Sequence, residues 1–376
     1  MSRSDSIWMK LSVLACSLVF SLIVADLSLR FLYPQPLHGG HGGYFPVAGT
    51  RYYLLQPNFR QIVHDRLHTY TFATNSYGIR DVEFDPRVSH PRRVLFLGDS
   101  VTEGVDVDLQ NIFVKQFEQL IRKTTGEDWQ ALNLSLGGGS TFDEVYSYEI
   151  KGVPLHHSYV VLGFYVGNDL SDNLHFQNRP VTNGQATSLY TTRQKLVRFL
   201  AFHSQLWNFA ATRMRFPLLY RWRILSIADT FLAYTKKYQS PEVNLSWSLT
   251  FRALQTLEAD VKEQHARLIL LLIPHEIQLS QGAFDKTLRL HGLNPADYER
   301  AEPQRILKAF ASQNQIPAVD LLDWFNSNEH YYLEDHVHFN EVGHVKTADA
   351  LGKAFELLQQ SPISASQTEV TAIKTP

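Results

Sequence analysis

Leu95-Phe96-Leu97-Gly98-Asp99-Ser100 is the stretch on which the reading of the fold turns. A short continuous apolar run ends at a glycine, followed by an acid and a serine. Such a run reads as a strand buried on both faces of a parallel sheet. The pattern recurs downstream. Residues 112–121 have the spacing of an amphipathic helix, and 131–134 of a second strand. Residues 141–150 read as a helix capped by Ser140 or Thr141, with Glu144 as the capping-box partner. A third strand is expected at 159–165, a helix at 249–264 and a fourth strand at 268–273. A helix at 305–313, a fifth strand at 318–321 and a closing helix at 345–357 complete the series. Strands alternating with helices imply an α/β fold with a mostly parallel five-stranded sheet covered on both faces.

Residues 170–247 break this alternation. They are aromatic and locally basic, with Arg213, Arg215, Arg221 and Arg223 among Phe216, Trp222 and Leu225. The expectation is a helical insertion packed on the core, with a lid or a surface for anionic headgroups as the other readings. Residues 361–376 are polar and rich in Ser and Thr, and are expected to be a disordered tail.

The N-terminus carries a targeting signal. From Trp8 to Tyr33 the charged residues are Lys10, Asp26 and Arg30. The cleanest apolar part, 11–25, is short of the ~20 residues a span needs. Trp8 and Tyr33 at its flanks and snorkelling by Lys10 and Arg30 extend it to a membrane anchor over 1–33. A cleaved signal peptide and a buried helix are the competing readings. Arg3, Lys10 and the terminal amine precede the span, so the N-terminus is placed inside and the bulk of the chain outside the cytoplasm. Residues 34–91 then form a linker and N-terminal extension. It begins with Pro34 and a Gly/His-rich run and includes Asn75-Ser76-Tyr77-Gly78-Ile79-Arg80-Asp81, which reads as a structured turn.

Composition narrows the function classes. The chain has 376 residues, 44% of them hydrophobic, enough for a core of ordinary size over 92–360. A net charge of -2 and a pI near 6.8 give no nucleic-acid footprint. The 16 histidines are scattered, with no HExxH or Cys/His cluster, so a structural zinc site is not expected. Cys16 is the only cysteine and lies in the apolar N-terminal segment, which excludes an intrachain disulfide.

The chemistry-bearing residues follow the strands. Ser100 lies past the first strand, Gly137-Gly138-Gly139 past the second and Gly167-Asn168-Asp169 past the third. Ligands gather at the carboxyl ends of such strands. Near the C-terminus, Asp335-His336-Val337-His338 offers a base, His338, with Asp335 placed to fix its tautomer. His336 is expected to face solvent, and His344 to be a cap or packing residue. Backbone N–H groups of Ser100 and Gly138 and the amide of Asn168 would form an oxyanion hole. Nucleophile, base, acid and oxyanion donors are the parts acyl transfer requires.

In these blocks the chain resembles the SGNH (GDSL-type) hydrolase family. Gly98-Asp99-Ser100 matches the nucleophile block, Asn133 to Gly138 the glycine block, Gly167-Asn168-Asp169 the asparagine block and Asp335 to His338 the Asp-x-x-His block. Val166 stands where the family commonly has glycine. The resemblance covers about 92–357 apart from the insertion. It implies a flavodoxin-like three-layer α/β/α sandwich, with Ser100, Asp335 and His338 as catalytic residues and an acyl-enzyme intermediate, and no metal or organic cofactor. The anchor and the segment around Arg80 resemble membrane-attached bacterial members, some relatives of which add or remove acetyl groups on exported polysaccharides. The resemblance therefore implies an esterase for O-acyl, above all O-acetyl, groups of an exported carbohydrate, held in the bacterial inner membrane with its catalytic domain in the periplasm. An O-acetyltransferase, a lipid esterase or lysophospholipase, and a non-catalytic envelope assembly protein are the alternatives.

Overall fold

The computed structural model describes residues 3–33, 42–64, 69–90, 92–185, 192, 196, 199–200, 203–210, 227–333 and 336–360. The chain divides into two compact units. One comprises Met1–Gly40, Val63–Thr69 and Tyr190–Ser226, and the other the remainder.

In the first unit, α1 (Arg3–Leu32) is a single long helix. Its part from Trp8 to Leu32 has mean hydropathy 2.1 and is unburied, so it is long and apolar enough to cross a membrane. Asp26, the residue least suited to an apolar helix, is satisfied from far along the chain. The Ser204 hydroxyl and the Leu206 amide donate to Asp26 Oδ1 at 2.8 and 2.9 Å. Arg30 bridges Asp26 (3.2 Å) and the carbonyl of His203 (2.7 Å). The basic cluster Arg213 to Arg223 lies outside the described residues, as does the tail 361–376.

β1 (Tyr44–Pro46) and β2 (Tyr53–Leu55), of the second unit, form an antiparallel pair, and β3 (Arg60–His64) and β4 (Thr69–Ala73) make another two-stranded sheet. The alternating part then begins. In chain order it contains β5 (Arg93–Gly98), α2 (Ser100–Glu103), α3 (Phe113–Thr125), β6 (Gln130–Asn133), α4 (Thr141–Ser147), β7 (Tyr159–Tyr165) and α5 (Asp169–Phe176). In the first unit α6 (Gln205–Phe209) follows. Returning to the second unit, α7 (Ile227–Tyr234), α8 (Pro241–Glu263), β8 (Arg267–Ile273), α9 (Gln281–Leu290), α10 (Glu302–Gln313), β9 (Ala318–Asp320) and α11 (Glu341–Gln360) complete it.

The five strands are all parallel, in the order β6-β5-β7-β8-β9. Renumbered from β5, this is 2-1-3-4-5, the flavodoxin-like order. Alternation along each strand divides the core into two layers. Leu95 and Leu97 of β5 and Leu268, Leu270 and Leu272 of β8 face one layer, which Val145, Trp247, Leu257 and Phe310 close from the helices. Val94 and Phe96, with Ile269, Leu271 and Ile273, face the other, closed by Phe113, Phe117, Leu351 and Phe355. The expected three-layer sandwich is the fold found.

Two sequence expectations shift. Ser140 caps α4 with Asp143 as the box partner, not Glu144, because the reciprocal bond forms with the third helical residue counted from Ser140. The break in the α/β rhythm is also narrower than 170–247. Residues 169–176 form α5 directly after β7, and Phe231, Leu232, Val243 and Trp247 are already core residues.

Candidate active site

The site lies where the strand order reverses, at the carboxyl ends of β5 and β7. Gly98 ends β5 with φ +152, and a Cβ there would lie 2.3 Å from Thr102 Oγ1 and 2.8 Å from the Gly163 carbonyl. Only glycine lets the chain turn so close to its neighbour strand. Asp99 then caps α2, its carboxylate accepting from the Val101 amide at 2.9 Å. This places Ser100 at the first helical position, where its N–H has no acceptor within the helix.

His338 reaches the serine from the opposite end of the chain, with Nε2 2.9 Å from Ser100 Oγ. A tight turn presents it. The Leu333 amide donates to the His338 carbonyl at 2.8 Å, and Tyr332 bridges to Phe339. Phe339 is fully buried, and the Tyr332 hydroxyl donates to the Pro274 carbonyl at the end of β8. Asp335 lies outside the described residues. His336 is exposed, as expected, and its Nδ1 contacts Glu276 Oε2 at 2.5 Å. His344 is fully buried and accepts from the Phe113 amide through Nδ1 at 3.1 Å. Burial lowers it to about 3, so it stays neutral as a packing residue.

The other two loops follow β6 and β7. Gly138 has φ +69, the left-handed region that favours glycine, with open space where a Cβ would stand. Gly139 closes that turn by donating to the Leu136 carbonyl. Asn168 is the N-cap residue of α5, and its Nδ2 donates to Asp172 Oδ2 at 2.8 Å. Burial raises the neighbouring Asp99, and a side-chain hydrogen bond from Asn168 helps to lower it. Ser100, Gly138 and Asn168 each follow the carboxyl end of a strand, β5, β6 and β7 respectively.

Beneath this corner lies a set of buried acids that the sequence reading did not single out. Burial, reinforced by the charges of Asp99 and of one another, pushes Glu144 and Asp169 well above the ordinary carboxylate range. Burial raises Asp99 to about 6, against the opposing pull of the Val101 amide and of His338. Asp172 is raised to about 7, again by burial first and then by Asp99. Among the described residues both oxygens of Glu144, Oδ2 of Asp99 and Oδ1 of Asp169 lack a hydrogen-bond partner. The spacing Asn168-x-x-x-Asp172, one helical turn, was a legible signal for the acid that holds the amide. No group of three or more His, Cys, Asp or Glu placed to hold a metal occurs among the described residues.

No protein-family model and no curated protein matches the sequence. Solved structures do resemble it. A lipase from a goat rumen metagenome is 14% identical, with 70% of this chain and 96% of that one covered and a TM-score of 0.40. A lipase/acylhydrolase from Enterococcus faecalis is 14% identical over 73% and 99%, with a TM-score of 0.39. An acetyl xylan esterase is 16% identical over 70% and 98%, with a TM-score of 0.38. The parallel 2-1-3-4-5 strand order is the flavodoxin-like fold that the resemblance of the sequence blocks implied.

Proposed function

We propose that the chain is a membrane-anchored serine esterase that removes O-acyl, above all O-acetyl, groups from an exported carbohydrate. The observation that carries the ester chemistry is the 2.9 Å contact between Ser100 Oγ and His338 Nε2. Ser100 Oγ attacks the ester carbonyl carbon while its proton passes to His338 Nε2. The carbonyl oxygen becomes an oxyanion held by the N–H groups of Ser100 and Gly138 and by Asn168 Nδ2. The C–O bond to the alcohol then breaks, and His338 returns the proton to the leaving oxygen. Water attacks the acyl-serine, gives its proton to His338, and the carboxylic acid leaves as Ser100 is regenerated. Asp335 orients the His338 ring. If a second hydroxyl replaces water, the same steps make an acyltransferase.

The carbohydrate substrate is supported by the resemblance of the anchor and the Arg80 segment to membrane-attached bacterial members. The anchor is supported by α1, long and apolar enough to cross a membrane, and the basic residues ahead of it favour an inner-membrane anchor with a periplasmic catalytic domain. The test is acyl release from p-nitrophenyl acetate, p-nitrophenyl octanoate and an O-acetylated polysaccharide, with Ser100→Ala as control. Ser100-dependent release favouring acetyl esters supports the reading. A preference for octanoate would replace it with a lipid esterase, and no Ser100-dependent release with any substrate would overturn hydrolysis. Partition of the chain into the soluble fraction would overturn the anchor.

A further inference from the structure

The steps above give no role to a buried acid on the other side of the base. Asp106 Oδ2 lies 4.0 Å from His338 Nδ1, on the ring edge away from Ser100, and its side chain is 7% exposed. That distance exceeds a hydrogen bond but is well within the range at which a carboxylate favours a charged imidazole.

The backbone at Asp106 is held in an unusual state to achieve this. Its φ is 68, the left-handed region that glycine or asparagine adopts more readily than aspartate. The surroundings impose that conformation. The Arg80 guanidinium, fully buried, donates to the carbonyls of Glu103 and Gly104 at 2.6 Å each and to that of Val107 at 2.5 Å. It thus grips the loop on both sides of Asp106. Arg80 itself lies over the rings of Tyr70 and Phe72, at 5.6 and 5.2 Å. The next residue, Asp81, accepts from Lys115 Nζ and from the Asn133 amide, which ties the segment to α3 and β6. The Asn75-to-Asp81 turn, prominent in the sequence and otherwise without a task, is therefore the clamp on the loop that carries Asp106.

We propose that Asp106 is a positioning residue for His338, a carboxylate that helps to hold the ring and to stabilise the imidazolium formed when Ser100 gives up its proton. This rests on the reading of Ser100 and His338 as nucleophile and base. Among the described residues, Asp99, beside Ser100, and His344 of α11 also feel the charge of His338, and His344 remains neutral.

The test uses the full chain in detergent with Asp106→Asn and Asp106→Gly. Both replacements suit a left-handed backbone, so each removes the charge without straining the loop. The primary readout is the titration of the His338 imidazole by carbon-13 NMR, assigned by its loss in His338→Gln. A fall of about 1 pH unit in both variants is expected. The acidic limb of kcat/KM for p-nitrophenyl acetate should move down by the same amount, with kcat reduced about 10-fold and KM unchanged. An unmoved His338 titration in folded variants overturns the proposal, even if the rate falls, because that pattern belongs to a merely structural loop. If the parent chain releases no acyl group, the esterase reading fails while the titration still decides the role of Asp106.

Discussion

Asp172→Asn should stabilise the protein, and only at neutral to alkaline pH. Asp172 is partly buried and faces the charge of Asp99, and its pKa stands at about 7 against an ordinary 3.8. A carboxyl whose pKa is raised on folding binds its proton more tightly in the native state than in the unfolded chain. Stability from that group is complete below about pH 4 and is lost as the pH rises towards 7. Roughly three units at about 1.4 kcal/mol each set a ceiling of about 4 kcal/mol for the cost of the ionised form. From pH 5 to pH 8 the linkage relation gives a loss of about 2.5 kcal/mol from this group alone. Asparagine keeps an oxygen to accept from Asn168 Nδ2, so the variant removes the charge and preserves the bond. Urea unfolding at pH 5, 6, 7 and 8 is the assay. Between pH 5 and pH 8 the variant should gain about 2–3 kcal/mol on the parent, with a flatter pH profile. A variant destabilised at pH 8, or one with the parent's pH slope, would refute the idea that burial and mutual repulsion govern this cluster.

Asn168→Ala removes a side-chain donor from the oxyanion site and should lower kcat for p-nitrophenyl acetate by about 10²- to 10³-fold with little change in KM, read by steady-state kinetics. Lys115→Met should cost about 3–5 kcal/mol in urea unfolding, because it strands Asp81 as a buried unpaired charge. Lys115 Nζ now donates to Asp81 (2.8 Å), Glu118 (2.7 Å) and the Ala131 carbonyl (2.8 Å). Adding Asp81→Asn to that variant should recover part of the loss, and full stability in the single variant would show that the pair does not tie the turn to the core.

What was legible in the sequence is what local pattern encodes. A run such as Val94 to Leu97, buried on both faces, needs no partner to be recognised, and a glycine after it announces a turn. The residues placed at strand ends inherit a common edge from the parallel topology, which is why Ser100, Gly138 and Asn168 could be grouped before any contact was known. The capping box of α4 was misread by one position because Ser140 and Thr141 are both competent caps, and only the backbone at Ser140 decides between Asp143 and Glu144. The remainder depended on partners far apart in the chain. Asp26 looked costly in an apolar helix because its donors, Ser204 and Leu206, lie 178 and 180 residues away. Arg80 and Lys115 look like surface cations in a sequence, yet each is buried to hold carbonyls or carboxylates from other elements. Asp106 is the clearest case. Its relation to His338 crosses most of the domain, and its backbone conformation is imposed by Arg80 rather than by its neighbours in sequence. Periodicity sees faces and ends of elements; the charges that tune a site are set by which ends the topology brings together.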